Sequence, residues 1–156
     1  MISHAPPGYV CPICALVAGG TTDVSGQQDI VWQSERATAF ICARWWPNNH
    51  GHVLVVPNAH HENIYDLPAE YGHAVHDGVR TIARAIRDTY GCEGISTRQH
   101  NEPAGYQDTW HYHVHVFPRY RGDDLYGSKP YPAFVSAERR RPYADKLRTH
   151  LRHPGE

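Results

Sequence analysis

The chain has 156 residues, of which 40% are hydrophobic and 20% charged, a balance typical of an ordinary globular protein with one core. Its formal net charge is −1 with the 13 histidines neutral, so no basic field indicates binding to nucleic acid. No apolar run has the length of a membrane span and the first residues lack a signal-peptide core, so we expect a cytoplasmic protein that contacts neither membrane nor nucleic acid.

The N-terminal segment carries two cysteines in the motif Cys11-Pro12-Ile13-Cys14. In a chain with no secretory signal, this spacing favours a metal site or a redox pair over a structural disulfide. Cys42 lies in an apolar strand pattern and is interpreted as a small core residue, and the same interpretation is open for Cys92. A metal site would need further ligands from elsewhere in the chain.

Three strands and a long helix are predicted in the first part of the chain. Residues 30–32 and 37–43 have the pattern of a hairpin, and the continuous apolar run at 52–57 predicts a strand buried on both faces. Apolar residues three or four positions apart form one stripe along residues 68–90, which predicts a helix that Gly91 ends.

The second part continues with strands at 94–99 and 110–117, then a covering loop at 119–133 and a basic C-terminal helix at 137–152. Strands, one long helix and further strands in this order predict an α+β fold. We expect an antiparallel sheet of about five strands, with the long helix packed on it and the C-terminal helix beside it. No repeat or break in composition divides the chain, so a single domain spanning residues 1–156 is expected.

The stretch from Trp110 to Arg119 places three histidines, His111, His113 and His115, at alternate positions. In a strand, this spacing puts all three imidazoles on one face and apolar side chains on the other. Imidazole titrates near neutral pH, binds metals and acts as a nucleophile or acid, so this face predicts a reaction site or a metal site. The outer two Cα atoms would lie about 14 Å apart, so one metal with bonds of about 2 Å could take two neighbouring histidines but hardly all three.

The same stretch matches the His-φ-His-φ-His-φ-φ signature of the histidine triad nucleotide-binding family, and the chain resembles that family in further motifs. These motifs are the cysteine pair at 11–14, Ala39-Phe40, residues 51–57, the long helix, the loop with Asn101, Gly105 and Gln107, and Pro118-Arg119. The resemblance covers about residues 9–120 and leaves a C-terminal extension of about 121–156 outside it. It implies a homodimer that binds a purine nucleotide or a dinucleoside polyphosphate.

The resemblance implies that His113 is the nucleophile. It would attack the α-phosphorus of a nucleoside phosphate derivative and form a covalent nucleotidyl-histidine, which water or another acceptor then resolves. The backbone carbonyl of His111 would hold the second ring nitrogen of His113 and fix its tautomer. His115 would donate to the phosphate or the leaving-group oxygen, and Gln107 and Asn101 would hydrogen-bond the phosphate or leaving group.

The resemblance to bacterial members with an N-terminal cysteine pair also implies a zinc site, with Cys11, Cys14, His60 and His111 as its ligands. His61 competes with His60 for the third place, and the spacing from the preceding strand favours His60. Four protein ligands leave no open position, so this zinc would be structural. His111 would then serve the metal and leave the chemistry to the other two triad histidines.

Two positions depart from the family pattern. Arg44 stands where many members of the family have an Asp or Asn that accepts hydrogen bonds from the ribose hydroxyls. A guanidinium accepts no hydrogen bond, so the ribose would be held otherwise, or Arg44 would face a phosphate or another group. Tyr106 separates Gly105 from Gln107, which changes the loop expected to contact phosphate. Further candidate phosphate contacts, each equally well explained as a surface residue, are Arg98, His100 and Arg119.

These observations lead to three hypotheses for the function. The leading one is a hydrolase or nucleotidyl transferase that acts on dinucleoside polyphosphates or nucleoside phosphoramidates. The second is a nucleotide-binding sensor or scaffold with little catalysis, to which Arg44 gives some support. The third is a metallohydrolase that uses His111 and His113 as ligands around an open metal site.

Overall fold

Five strands form one antiparallel sheet in a computed structural model that describes residues 1–153. The strands are β1 (Ile30–Gln33), β2 (Ala37–Ile41), β3 (Val53–Pro57), β4 (Gly94–Gln99) and β5 (Val114–Arg119), in the spatial order β1-β2-β3-β5-β4. The α-helices are α1 (Pro12–Val17), α2 (Ala69–Thr89) and α3 (Ala137–Arg152). The predicted α+β fold, with its long helix and C-terminal helix, is confirmed. No helix within the described residues is long and apolar enough to cross a membrane.

One face of the sheet packs against α2 and α3. The long helix contributes Ile82 and Ile86 to this core, and both are fully buried. It approaches the sheet so closely that a Cβ at Gly78 would lie 2.7 Å from Trp32 Cζ3 and 2.9 Å from Val55 Cγ1. Any side chain at this position would therefore push the helix away from the sheet.

The opposite face of the sheet carries a smaller core. Phe40 on β2 and Leu54 on β3 are cross-strand partners, and Ile13 and Leu16 of α1 pack on this side. The next partner of Leu54, on β5, is His115. The triad region therefore lies on the face of the sheet that α1 covers.

Residues 120–135 form a covering segment beside this second core. Arg119 donates two hydrogen bonds, of 2.8 and 2.9 Å, to the carboxylate of Asp123, and Asn49 Nδ2 donates another at 2.9 Å. The Arg119 guanidinium is the main cause that lowers the pKa of Asp123 below its usual range. At the far end of the segment, the backbone N–H of Val135 donates to the Ala43 oxygen at 2.8 Å. Both ends of the covering segment are thus attached to the sheet region.

The C-terminal helix is tied to the rest of the chain by a buried ion pair. Arg140 Nε lies 2.9 Å from Asp29 Oδ1, and Arg140 Nη2 lies 3.0 Å from Asp29 Oδ2. The side chains are 3% and 1% exposed, so the pair is shielded from water. Two parallel N–H···O bonds fix the orientation of the guanidinium, and hence of α3, relative to the segment before β1.

The last strand differs from its predicted bounds of 110–117. It begins at Val114, because its backbone pairing with both neighbouring strands begins there. Upstream, the chain leaves the sheet, and the N–H of Tyr112 donates to the oxygen of His61 at 2.6 Å. Downstream, β5 continues through Pro118, which can remain in the strand because the pairing with β3 already ends at Val116. The predicted start was wrong, and one triad histidine instead of three lies in the strand.

Candidate active site

Four side chains from three separate parts of the chain meet beside α1. Cys11 caps the helix and Cys14 lies in its first turn, His60 follows β3, and His111 precedes β5. Their ligand atoms all lie within 4.8 Å of one another. The distance from His111 Nδ1 is 3.4 Å to Cys11 Sγ and 3.5 Å to Cys14 Sγ. His60 Nδ1 lies 3.3 Å from Cys14 Sγ.

These distances fit a four-coordinate metal. Tetrahedral zinc, with bonds of about 2.3 Å to sulfur and about 2.0 Å to nitrogen, holds its sulfur and nitrogen ligands about 3.5 Å apart. His111 Nε2–H donates to the Pro57 oxygen at 2.9 Å, which leaves the Nδ1 lone pair for a metal. Burial lowers the pKa of His111 to about 4, so the ring is neutral near pH 7. The cluster contains the four residues predicted as ligands, with His60 and not His61 in the third place.

His113 lies two residues beyond this cluster and is only 4% exposed. Its Nδ1–H donates to the backbone oxygen of His111 at 2.7 Å. That bond fixes the tautomer in which Nε2 carries the lone pair. Burial lowers the pKa of His113, against opposing contributions from the same backbone bond and from Asp108. The ring is therefore a neutral imidazole near pH 7, the form that acts as a nucleophile.

His115 is paired with a histidine to which the sequence analysis gave no role. His115 Nδ1 lies 3.3 Å from Nε2 of His52, a fully buried ring that stacks on Phe117 at a centroid distance of 4.3 Å. His52 Nδ1 has no hydrogen-bond partner within residues 1–153. Because orphaned buried N–H groups are rare, we assign the proton of His52 to Nε2, where it is donated to His115. The proton of neutral His115 then lies on its own Nε2.

Burial keeps both members of this pair uncharged. It lowers the pKa of His52 to about 3 and lowers that of His115 well below its usual value. The rings of His113 and His115 thus have complementary forms: His113 offers a lone pair, and His115 offers an N–H. The sequence placed His52 at the start of an apolar strand run, and its pairing with His115 depends on the register between β3 and β5.

A cavity of about 990 Å³ lies in front of His113 and His115. This volume is at the upper end of the range for small-molecule sites. Apolar side chains of α1, β2 and β3 form one wall, and the covering segment forms another. The lining residues include Leu16, Phe40, Leu54, Arg98, Tyr126 and Phe134.

Arg44 also lines this cavity, as its predicted role requires. Its Nη1 donates to the Tyr131 oxygen at 3.4 Å, and its Cζ lies 4.6 Å from the centroid of the Phe134 ring. The guanidinium thus contacts the covering segment at the rim of the cavity. A cation so placed suits an anionic or polar part of a ligand better than it suits ribose hydroxyls that need an acceptor.

The other two predicted phosphate contacts, Gln107 and Asn101, are not among the cavity-lining residues in the described part of the chain. Gln107 Oε1 accepts from the N–H of Glu102 at 2.9 Å, and its Nε2 donates to the oxygen of Glu62 at 2.6 Å. Asn101 Oδ1 accepts from the N–H of Ile64 at 2.8 Å. These bonds tie the loop before the triad to the segment after β3.

The chain is similar to known histidine triad proteins. The HIT domain model matches residues 25–122. The Bacillus subtilis protein hit is 34% identical over 118 residues, which cover 76% of this chain and 77% of that protein. An adenylylsulfatase of Arabidopsis thaliana is 30% identical over 83 residues, which cover 53% of this chain and 42% of that protein. The crystal structure of a Zn-bound histidine triad family protein from Mycobacterium smegmatis is 26% identical, with a TM-score of 0.73 and coverage of 91% and 93%.

Proposed function

The chain belongs to the HIT domain family, and we propose that it is a hydrolase or nucleotidyl transferase that cleaves at the α-phosphate of purine nucleotide derivatives. Dinucleoside polyphosphates and nucleoside phosphoramidates are the proposed substrates. The observation that carries the proposal is the environment of His113, whose Nδ1 is held by the His111 carbonyl while Nε2 remains for the cavity. The name of the Arabidopsis relative, an adenylylsulfatase, agrees with a phosphoric anhydride as substrate.

The proposed reaction begins with attack by His113 Nε2 on the α-phosphorus. The bond from nitrogen to phosphorus forms as the bond to the leaving group breaks, which gives a covalent nucleotidyl-histidine. The N–H of His115 donates to a phosphate oxygen or to the leaving atom. Water or another nucleophile then displaces the histidine and releases the nucleotide. The His111 carbonyl stabilises the positive charge that His113 gains during the attack.

His52 takes part as a positioning residue. Its Nε2–H, donated to His115 Nδ1, keeps the proton of His115 on the nitrogen that can serve the substrate. The contacts of Gln107 and Asn101 with phosphate stay a prediction. To donate to a ligand, Gln107 Nε2 would have to give up one of its two backbone partners, the oxygens of Glu62 and Thr109, whereas Asn101 Nδ2 donates to the side chain of Gln99.

We propose zinc as the metal of the four-residue cluster. The donor set of two sulfurs and two nitrogens fits zinc, and the Mycobacterium smegmatis relative is described as Zn-bound. When bound, it would cross-link the segment at Cys11 and Cys14 to His60 and His111 without an open coordination position. The contribution of the cluster to the reaction is then the position of the His111 backbone, which holds His113.

A homodimer also stays a prediction. The outermost strand next to β5 is β4, which has a partner on one side in the sheet order of the described residues. Such an edge can pair with the same strand of a second copy.

The test compares wild type with His113→Ala on diadenosine triphosphate and adenosine 5′-phosphoramidate. The matched control is His76→Ala, which removes an exposed histidine of α2. We expect turnover by wild type and control and its loss in His113→Ala, with equal zinc content in all three. Full activity of a folded, zinc-loaded His113→Ala protein would refute the nucleophile assignment. Nucleotide binding without turnover by wild type would favour a sensor or scaffold.

A further inference from the structure

Arg98 is a cation in the cavity wall that no carboxylate of residues 1–153 neutralises. It lines the cavity and forms none of the salt bridges of the described chain. Its Nε is buried without a hydrogen-bond partner in those residues. Arg119, which lies on the same face, differs because its guanidinium is bonded to Asp123. A partly buried arginine without a counter-ion indicates a place for an anion from solution.

Three aromatic rings hold the guanidinium in place. Arg98 Cζ lies 5.0 Å from the ring centroid of Trp46, 4.7 Å from that of Phe117 and 5.7 Å from that of Tyr126. Cation–π contacts orient the planar group without using its N–H donors. The donors are therefore available to a ligand, in an orientation that the protein sets in advance.

The register of the sheet fixes the position of this cation relative to the reacting histidines. Phe40, Leu54, His115 and Arg98 are successive partners across β2, β3, β5 and β4. Since neighbouring strands lie about 4.8 Å apart, Arg98 is next to His115 on the side away from the apolar wall. A nucleotide with its base on the apolar wall and its α-phosphate at His113 would direct its leaving group towards Arg98.

Two carboxylates, those of Asp23 and Asp108, also line the cavity, and neither forms a salt bridge with Arg98 within the described residues. Burial lowers the pKa of both His113 and His100, and the charge of Asp108 opposes that lowering at each ring. Burial is the main cause that lowers the pKa of Arg98; the charge of Tyr126 opposes this lowering and the charge of Arg119 adds to it. The guanidinium of Arg98 is therefore a positive group beside His115 that no salt bridge of the described residues neutralises.

We propose that Arg98 binds a second anionic group of the substrate. The preferred substrate is then a nucleotide whose α-phosphate is joined through an anhydride oxygen to a phosphate or sulfate, rather than through nitrogen to an amine. This inference rests on the proposed function. As the bond from His113 Nε2 to phosphorus forms, the bond to the bridging oxygen breaks and its electron pair leaves with the oxygen. Arg98 stabilises the charge that this oxygen and its attached group carry.

The test uses two substrates that share the adenosine 5′-phosphoryl group. Diadenosine triphosphate releases an anionic leaving group, and adenosine 5′-phosphoramidate releases ammonia. Arg98→Met keeps an apolar chain among the three rings and removes the charge. We expect kcat/KM to fall about 10- to 100-fold on diadenosine triphosphate, the usual loss for a charge-assisted hydrogen bond, and to stay unchanged on the phosphoramidate. Arg98→Lys should recover part of the loss, since it restores charge without the planar fork.

The control is Arg121→Met, which removes an arginine whose side chain is 92% exposed and pairs with Glu93 outside the cavity. It should leave both substrates unaffected. Equal losses on both substrates, or no loss on either, in a folded Arg98→Met protein would overturn the inference. If wild type cleaves neither substrate, the proposed function fails, and calorimetric binding of ATP and AMP still decides the role of Arg98. A selective loss of ATP affinity in Arg98→Met supports that role, and equal affinities in wild type and variant refute it.

Discussion

The buried ring of His52 should make the protein sensitive to acid. His52 is fully buried, and burial is the main cause that lowers its pKa from 6.5 to about 3, with smaller contributions from Arg98 and His113. Between these two values the unfolded chain binds a proton at this position and the folded chain does not. The free energy of unfolding therefore falls as the pH drops below 6.5, and the loss is complete near the folded pKa.

The size of the effect follows from these two values. A pH of 5 lies about 1.5 units below the unfolded pKa, so protonation of position 52 stabilises the unfolded state by about 2 kcal/mol. At pH 7.5 this stabilisation of the unfolded state is close to zero. His52→Gln removes the titrating group from both states. On a change from pH 7.5 to pH 5, the free energy of unfolding of the wild type should thus fall by about 2 kcal/mol more than that of His52→Gln.

The assay is urea unfolding of both proteins at the two pH values, in buffers with the same zinc concentration. The metal ligands and the other histidines are common to both proteins, so the double difference reports the titration of position 52 together with its coupling to His113 and His115. If the two proteins lose the same free energy of unfolding on acidification, His52 is not held uncharged by burial. The assignment of its tautomer would then lose its basis as well.

Two further predictions concern the long helix and the metal cluster. Gly78→Ala should destabilise the protein by about 1–3 kcal/mol in urea unfolding, because its Cβ would lie 2.7 Å from Trp32 and 2.9 Å from Val55. Gly72→Ala, on the same helix, is the control. Its Cβ would meet nothing closer than 3.8 Å, so this variant should stabilise the protein by up to about 1 kcal/mol. A similar change at both positions would show that the helix is not in close contact with the sheet. Cys14→Ser should lower zinc content, melting temperature and turnover together, because one of four ligands is lost. Loss of turnover at full stability after chelation would instead support a metal with an open catalytic position.

The elements decided by local sequence were predicted closely. The apolar stripe predicted a helix at 68–90, and α2 spans Ala69–Thr89, followed by Gly91 with a φ of +68°. The C-terminal helix was predicted at the bounds that the structure gives it. An apolar stripe and a helix-ending glycine depend only on residues close together in the chain, so the sequence alone is enough to predict where such a helix begins and ends.

Features that depend on partners far away in the chain were predicted less well. The start of β5 is set by where β3 and β4 stop pairing, and the alternation of histidines continues past that point. The pairing of His52 with His115 and the position of Arg98 beside it both follow from strand register. Register is determined by the assembled sheet, and a strand pattern in one segment does not specify its neighbour.

The contact between Cys11 and His111 joins positions 100 residues apart in the chain. Closing a loop of that length costs chain entropy, and contacts of such separation form late unless intervening structure has already brought the ends together. Here β3 and β5 supply that structure, since His111 also bonds to the oxygen of Pro57 at the end of β3. We therefore expect α1 to dock after the sheet has formed. A newly synthesised chain would pass through a stage at which the strands are paired while His113 lacks its final support. Uptake of the proposed metal would then mark the completion of the candidate site.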